Sequence, residues 1–301
     1  MENSSKSESE KHNHAVVVNY LFSKKSDLDK IKLIRENVEK IKDKTSKELD
    51  FCRLKKMFLS EPPLLESTKR EEWIEVLSKE DFDELKKLLE EAKKKDSVKK
   101  NQDPLSKWEK KDSKHIRRWP IWGRYDNDNR RIILYVNNIL DYFTDKDGKT
   151  TDDVKFDKCK RITEIHEKFH AYFHFVTEQS IHRDKKYNYI FEIEEAMAEF
   201  CSLIFLSELS DVFKGVFDIA KEMVEDKQNE VGDLAAYGFG AYLYDNLNED
   251  ERFELINNYI KKLGNINEED DKVKEYKREV RLSKWGDQQK CLKLLQEILK
   301  P

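Results

Sequence analysis

The chain has 301 residues, of which 38% are hydrophobic and 40% are charged. Its 58 lysine and arginine residues nearly balance 62 aspartate and glutamate residues, and a net charge of -4 gives no general attraction to nucleic acid or anionic membranes. Only 8 glycines and 5 prolines occur, so a fold built mainly from helices is expected.

The cellular setting is predicted from features that the sequence lacks. Its four cysteines are scattered without a CxxC pair, which argues against a disulfide framework or a cysteine zinc site. The polar residues 1–14 contain no apolar segment of a secretory signal. No apolar run is long enough to span a membrane. We therefore expect a cytoplasmic protein with reduced thiols and no membrane partner.

The N-terminal third is predicted to be a disordered tail (1–14) followed by a charged helical region (15–100). Apolar residues recur there at three- and four-residue spacing, as in Leu28, Ile31, Ile34 and Val38. Ser78 precedes a segment with acidic residues early and lysines late, which predicts a helix starting after Ser78. We interpret the region as a subdomain packed on the rest, with partner binding as the alternative.

Residues 101–114 are polar and contain Pro104, which is typical of a linker before a second domain at 115–301. Two aromatic and β-branched runs then flank residues 126–129, which predicts a β-hairpin with 132–136 as its better strand. Arginines alternate with aromatic residues here, so nucleic-acid binding is an alternative. The overall acidic balance argues against it. The predicted fold class is mainly α with a small β component.

The segment IHEKFHAYFH places three of the seven histidines four residues apart. On a helix, His166 and His170 point to one side with about 6 Å of rise between them, so both imidazoles can reach one ion. Glu167 lies beside them as a carboxylate that could reach water at the ion. Apolar flanking residues predict a buried helix, in which these polar groups need partners. His174 would lie about 12 Å from His166 along the axis, so it is either a wall residue beside the site or a packed histidine.

A third ligand is expected because catalytic zinc sites usually have three protein ligands and one open position. The segment FEIEEAMAEFCSLIFL (191–206) predicts an almost wholly buried helix with three glutamates in its first turns. Metal binding is one reason to bury glutamates there. A favourable interaction with the helix dipole is the other.

The combination of HExxH with a downstream ExxA[DE] motif, here at residues 195–199, resembles the gluzincin metallopeptidases of the thermolysin-like clan. The resemblance spans about residues 130–206 and implies a zincin-like catalytic domain. It assigns Glu195 as third ligand, with Glu194 as the alternative, and Glu199 as the partner that orients His166. The order of elements is most similar to the ImmA/IrrE type, although Phe169 and Glu199 replace residues common in that group.

The resemblance also implies a function, namely zinc-dependent hydrolysis of a peptide bond in a protein or peptide substrate. One Zn²⁺ per chain would activate water, and Glu167 would act as general base. Candidates for stabilising the oxyanion are Tyr237, Tyr244 and His182. The strand at 132–136 is expected to pair with an extended substrate. The alternative is a proteolytically inactive, metallopeptidase-like protein that acts as a protein-interaction module.

Overall fold

The computed structural model describes residues 64–95, 103–143, 153–180, 190–208, 215–282 and 285–300. The predicted tail (1–14), the helical pattern of 15–63 and the candidate His182 lie outside the described residues. Within them the protein is mainly helical with two small sheets, which confirms the predicted fold class. In this part of the chain, no helix is both long and apolar enough to cross a membrane.

The first sheet confirms the predicted hairpin and adds a strand from the N-terminal region. Its order is β1 (Leu64–Ser67), β6 (Arg131–Tyr135) and β5 (Gly123–Asp126), with β1 parallel and β5 antiparallel to β6. Asp126 closes the hairpin turn by accepting the backbone N–H of Asn129 at 3.2 Å, as short acidic side chains do in turns. The prediction of helix is wrong for β1, because pairing with the distant β6 overrides local preference.

The second sheet is antiparallel, in the order β2 (Glu72–Ser78), β4 (Lys114–Pro120) and β3 (Glu109–Lys111). Helix was also wrongly predicted for β2, where burial alternates over residues 74–77: Glu75 and Leu77 are buried whereas Ile74 and Val76 are exposed. The segment interpreted as a linker instead contributes a 3-10 helix (Pro104–Lys107), β3 and the start of β4. All residues of β3 are exposed, so backbone pairing rather than burial forms this strand.

Helix α1 (Lys79–Lys94) begins where the sequence predicts it. The side chain of Ser78 accepts the backbone N–H of Asp81 at 3.0 Å and so caps the first turn. Its apolar side packs in a small core that ties the N-terminal region to the end of the chain, formed by Leu77, Leu85, Leu89, Ala92, Trp108, Val231, Leu282 and Trp285. The charged region therefore packs on the remainder of the molecule, as expected for its described part.

The remaining described helices are α2 (Val136–Tyr142), α3 (Asp153–Ser180), α4 (Phe191–Glu208), α5 (Val216–Lys227), α6 (Ala235–Asn246), α7 (Glu249–Lys262), α8 (Asp271–Val280) and α9 (Gln288–Ile298). The main core lies around α4, which is buried along almost its whole length, as predicted. Helix α6 crosses α4 closely at Gly240, where an added Cβ would lie 2.6 Å from the carbonyl oxygen of Ala196. This approach brings Tyr237, one turn earlier, towards the HExxH segment.

Candidate metal centre

Three predicted ligands converge between α3 and α4. The Nε2 atoms of His166 and His170 lie 3.0 Å apart. Oε2 of Glu195 lies 3.0 Å from the first of these nitrogens and 3.4 Å from the second. All three residues are buried, and they form the one group of metal-ligating side chains found within the described residues.

The spacing of these atoms fits a small divalent cation. Ligands at about 2.0–2.1 Å in tetrahedral arrangement are separated from each other by roughly 3.3 Å, close to the three separations observed. Two imidazole nitrogens and one carboxylate oxygen are also the donor types that bind zinc. The group could therefore hold a metal ion.

Each histidine is held from behind by another glutamate of α4. Nδ1 of His170 bonds to Oε1 of Glu194 at 3.0 Å. Nδ1 of His166 lies 3.3 Å from Oε2 of Glu199. Such contacts fix the ring so that Nε2 faces the shared point. Glu194 thus occupies a position behind a ligand, and Glu195 the position of the ligand.

The electrostatics of the group are those of a cation site. Burial favours neutral imidazole, but contacts with Glu195 and Glu199 outweigh it and raise the pKa of His166 to about 9. Burial likewise opposes ionisation of Glu195, yet His170 and His166 hold its pKa well below the usual range. The carboxylates therefore stabilise positive charge at the point where the Nε2 atoms meet.

Glu167 lies beside this point and is positioned by β5. Its side chain accepts the backbone N–H of Tyr125. Gly123 makes room for it, because an added Cβ there would lie 2.8 Å from Cγ of Glu167 and 2.5 Å from Cγ2 of Thr163. Burial raises the pKa of Glu167, and the charges of His170 and His166 oppose that rise. A buried carboxylate with a fixed orientation is suited to proton transfer.

His170, Glu195 and Glu167 line a cleft of about 400 Å³. Tyr237 forms part of its wall: its ring stacks on His166 with centroids 5.6 Å apart, and Lys227 Nζ lies 4.1 Å from the Tyr237 ring centroid. Burial and a hydrogen bond to Glu195 raise the pKa of Tyr237 well above 10.0, so its hydroxyl stays a donor. His174 lines the cleft beside Tyr125, with 3.4 Å between Nδ1 and the phenol oxygen, as one of its two interpretations predicts.

Two expectations about the cleft do not hold. Tyr244 does not line it; it lies seven positions after Tyr237, and its ring lies against Phe217 and under the guanidinium of Arg252. Strand β6 cannot pair with a substrate, since β1 and β5 occupy both of its edges. The edge that faces the cleft belongs to β5 instead.

Sequence reasoning missed the far wall of the cleft. Trp73 of β2, Trp119 of β4 and Phe191 of α4 lie there together. These aromatic residues were visible in the sequence, but β2 was predicted as helix, so no signal placed Trp73 near Glu167. Only the pairing of β2 with β4, which sets Trp73 opposite Trp119, brings them together.

Comparison of the chain with protein-family models, curated proteins and solved structures gave no significant match. Function is therefore inferred from the HExxH motif and from the geometry of this centre.

Proposed function

We propose that this protein is a zinc-dependent peptidase of the gluzincin type that acts on a protein or peptide substrate. One observation carries the proposal: His166, His170 and Glu195 direct three ligand atoms, 3.0–3.4 Å apart, to one point beside Glu167 and a cleft. Bound there, one zinc ion would supply a Lewis acid at the reacting carbonyl.

Glu167 is the proposed general base. It would take a proton from the attacking water and deliver it to the leaving amine. The N–H of Tyr125 keeps the carboxylate oriented, and the tight fit against Gly123 keeps it in place. The low exposure of Glu167, 8%, limits access of bulk water to the base.

The outer edge of β5 is the proposed binding site for the substrate backbone. The N–H of Tyr135 donates to the carbonyl oxygen of Trp122 at 2.8 Å, which makes these two residues a hydrogen-bonded pair. Because such pairs alternate in an antiparallel ladder, the backbone polar groups of Gly123 and the carbonyl group of Tyr125 point away from β6, while the N–H of Tyr125 donates to Glu167. An extended peptide can add there as a further strand, next to Glu167.

Tyr237 is the proposed donor to the oxyanion. Its hydroxyl lies within reach of Glu195 and is kept protonated by its surroundings. Its ring is held between α3 and α5 by His166 and Lys227. A positioned donor of this kind stabilises charge that develops on the substrate oxygen.

The test is to measure zinc content and hydrolysis of fluorescent casein for wild type, Glu167→Gln and Glu222→Gln, purified without chelator or nickel resin. Glu222 is a matched control because its side chain is 69% exposed and lies on α5. We expect about one zinc per chain in all three proteins. Glu167→Gln should lower turnover by about 10²–10⁴-fold, and Glu222→Gln should leave it unchanged.

Two results would contradict the proposal in different ways. Zinc-loaded wild type that hydrolyses no casein or peptide pool would reject the peptidase and favour a metal-containing interaction module. Wild type that neither contains zinc nor takes it up would reject the metal centre itself.

A further inference from the structure

An aromatic wall, defined as Trp73, Trp119 and Phe191, forms the side of the cleft beyond Glu167. The ring of Trp73 stacks on Phe191 with centroids 5.2 Å apart and an angle of 24° between planes. Trp119 lies at 6.2 Å from Trp73 and is tilted by 38°. The three residues come from β2, β4 and α4, so the wall exists only in the folded chain.

The wall is fixed from behind by a polar network. Nε1 of Trp73 donates to Oδ2 of Asp233 at 3.2 Å, and Arg281 donates to Oδ1 of Asp233 at 3.3 Å. Arg281 also bonds to Glu192, the residue after Phe191, at 3.2 Å. One arginine therefore connects the anchors of both stacked rings.

Because of this anchoring, the surface that Trp73 presents to the cleft is apolar. The single polar atom of the Trp73 indole is used on Asp233, so its remaining surface is apolar, yet 38% of the residue stays exposed. A rigid, exposed apolar surface beside a catalytic carboxylate gains most from burial by an apolar ligand group. Its rings lose little freedom on binding, because packing has already fixed them.

The charged residues near the wall decide whether it favours an apolar or a cationic ligand. Aromatic rings also bind cations, and Glu71 and Glu72 line the same end of the cleft. However, the guanidinium of Arg117, which is paired with Glu230, already lies over the Trp119 ring, 5.5 Å from its centroid. Arg124 also lines the cleft, so a cationic ligand group would meet a like charge there.

We infer that the aromatic wall is a specificity subsite that accepts a large apolar side chain, such as phenylalanine or leucine, of the peptide substrate. The inference rests on the proposed function, since it takes the cleft as the substrate site. The resemblance to the gluzincins spans only residues 130–206, and Trp73 and Trp119 lie outside that segment. The resemblance therefore does not supply this preference.

Binding to the zinc-loaded Glu167→Gln variant tests the inference without requiring turnover. The probes are fluorescein-labelled octapeptide pools that are degenerate except for one central residue, fixed as Phe, Ala or Arg, read by fluorescence polarisation. The Phe pool should bind about 10-fold more tightly than the Ala and Arg pools. Adding Trp73→Leu should remove most of this preference and leave the Ala pool unchanged.

Two further variants make the test specific. Ile74→Ala is the matched control, because Ile74 is the next residue on β2, points to the opposite face and is 53% exposed; it should change no pool. Trp73→Phe keeps an aromatic ring and should retain part of the preference, which separates loss of the wall from misfolding.

Equal binding of the Phe and Ala pools, tightest binding of the Arg pool, or no binding of any pool would each overturn the inference. Casein hydrolysis by wild type is scored separately. Hydrolysis without a Phe preference rejects only the subsite. A Trp73-dependent Phe preference without hydrolysis supports the subsite and rejects only the peptidase.

Discussion

Nδ1 of His170 lies 3.0 Å from Oε1 of Glu194, so this carboxylate holds the second histidine of the HExxH segment from behind. The next residue, Glu195, faces the opposite nitrogens of both histidines. Adjacent glutamates on α4 thus take different positions about the same imidazole. The sequence left open the choice between Glu194 and Glu195, and in the structure it is Glu195 that lies against both Nε2 atoms.

Replacing these two glutamates should affect metal binding to different degrees. Glu195→Gln removes a proposed ligand and should abolish stoichiometric zinc. Glu194→Gln removes only the group that orients His170 and should weaken zinc binding by about 10–100-fold. Competition with a chromophoric chelator measures both affinities. If Glu194→Gln costs more affinity than Glu195→Gln, the assignment of the ligand is wrong.

Tyr237 and Tyr244 form a matched pair on α6. Tyr237→Phe removes the proposed oxyanion donor and should lower kcat by about 10²–10³-fold with zinc content unchanged. Tyr244→Phe removes a hydroxyl on a residue that does not line the cleft, and kcat should stay near wild type. Steady-state kinetics on one fluorogenic peptide compare the two variants. Equal effects of both substitutions would exclude a specific role for Tyr237.

Gly123 should be essential for the position of Glu167, the proposed general base. In Gly123→Ala the new methyl group would lie 2.5 Å from Cγ2 of Thr163 and 2.8 Å from Cγ of Glu167, so Glu167 must move. We expect kcat/KM to fall by about 10²-fold while zinc stays bound. The double variant Gly123→Ala, Thr163→Ser removes one of the two clashing carbons and should recover part of the activity. Full activity of Gly123→Ala would contradict the proposed position of Glu167.

Glu75 should make stability depend on pH. It accepts the backbone N–H of Asp233 at 3.1 Å and is 4% exposed. Burial and the charge of Asp233 raise its pKa to about 9, although Arg281 opposes the rise. Because the pKa is raised in the folded state, protonated Glu75 stabilises the fold fully below about pH 4.5. This contribution is lost as pH rises towards 9.

The Glu75→Gln variant tests this dependence, because glutamine keeps the acceptor and cannot ionise. Its free energy of unfolding relative to wild type should increase with pH and reach an advantage of about 1–3 kcal/mol near pH 9. Urea denaturation of both proteins at about pH 5, 7 and 9 measures the difference between their free energies of unfolding. The titration of the metal-centre residues cancels in this difference, because both proteins contain them. Parallel pH profiles of the two proteins would refute the buried, protonated Glu75.

The sequence by itself determined the helical character, the cap at Ser78, the hairpin about Asp126 and the histidine pair, since each is encoded within one short segment. The third candidate ligand, Glu195, came from the resemblance to the gluzincins, with Glu194 left open. Four-residue spacing puts His166 and His170 on one side of α3 whatever the rest of the chain does. The buried helix at 191–206 was also predictable, because residues 196–206 are apolar apart from Glu199 and Ser202.

Only the tertiary structure decided features that depend on contacts between distant segments. Strands β1 and β2 form because they pair with β6 and β4, against the helical pattern of their surroundings. The tight crossing at Gly240 selects Tyr237 rather than Tyr244 for the cleft. The aromatic wall unites residues 73, 119 and 191, whose proximity is set by strand register and by the Asp233–Arg281 network. Local periodicity fixes the direction of a side chain on its own element, whereas a site requires the relative placement of several elements.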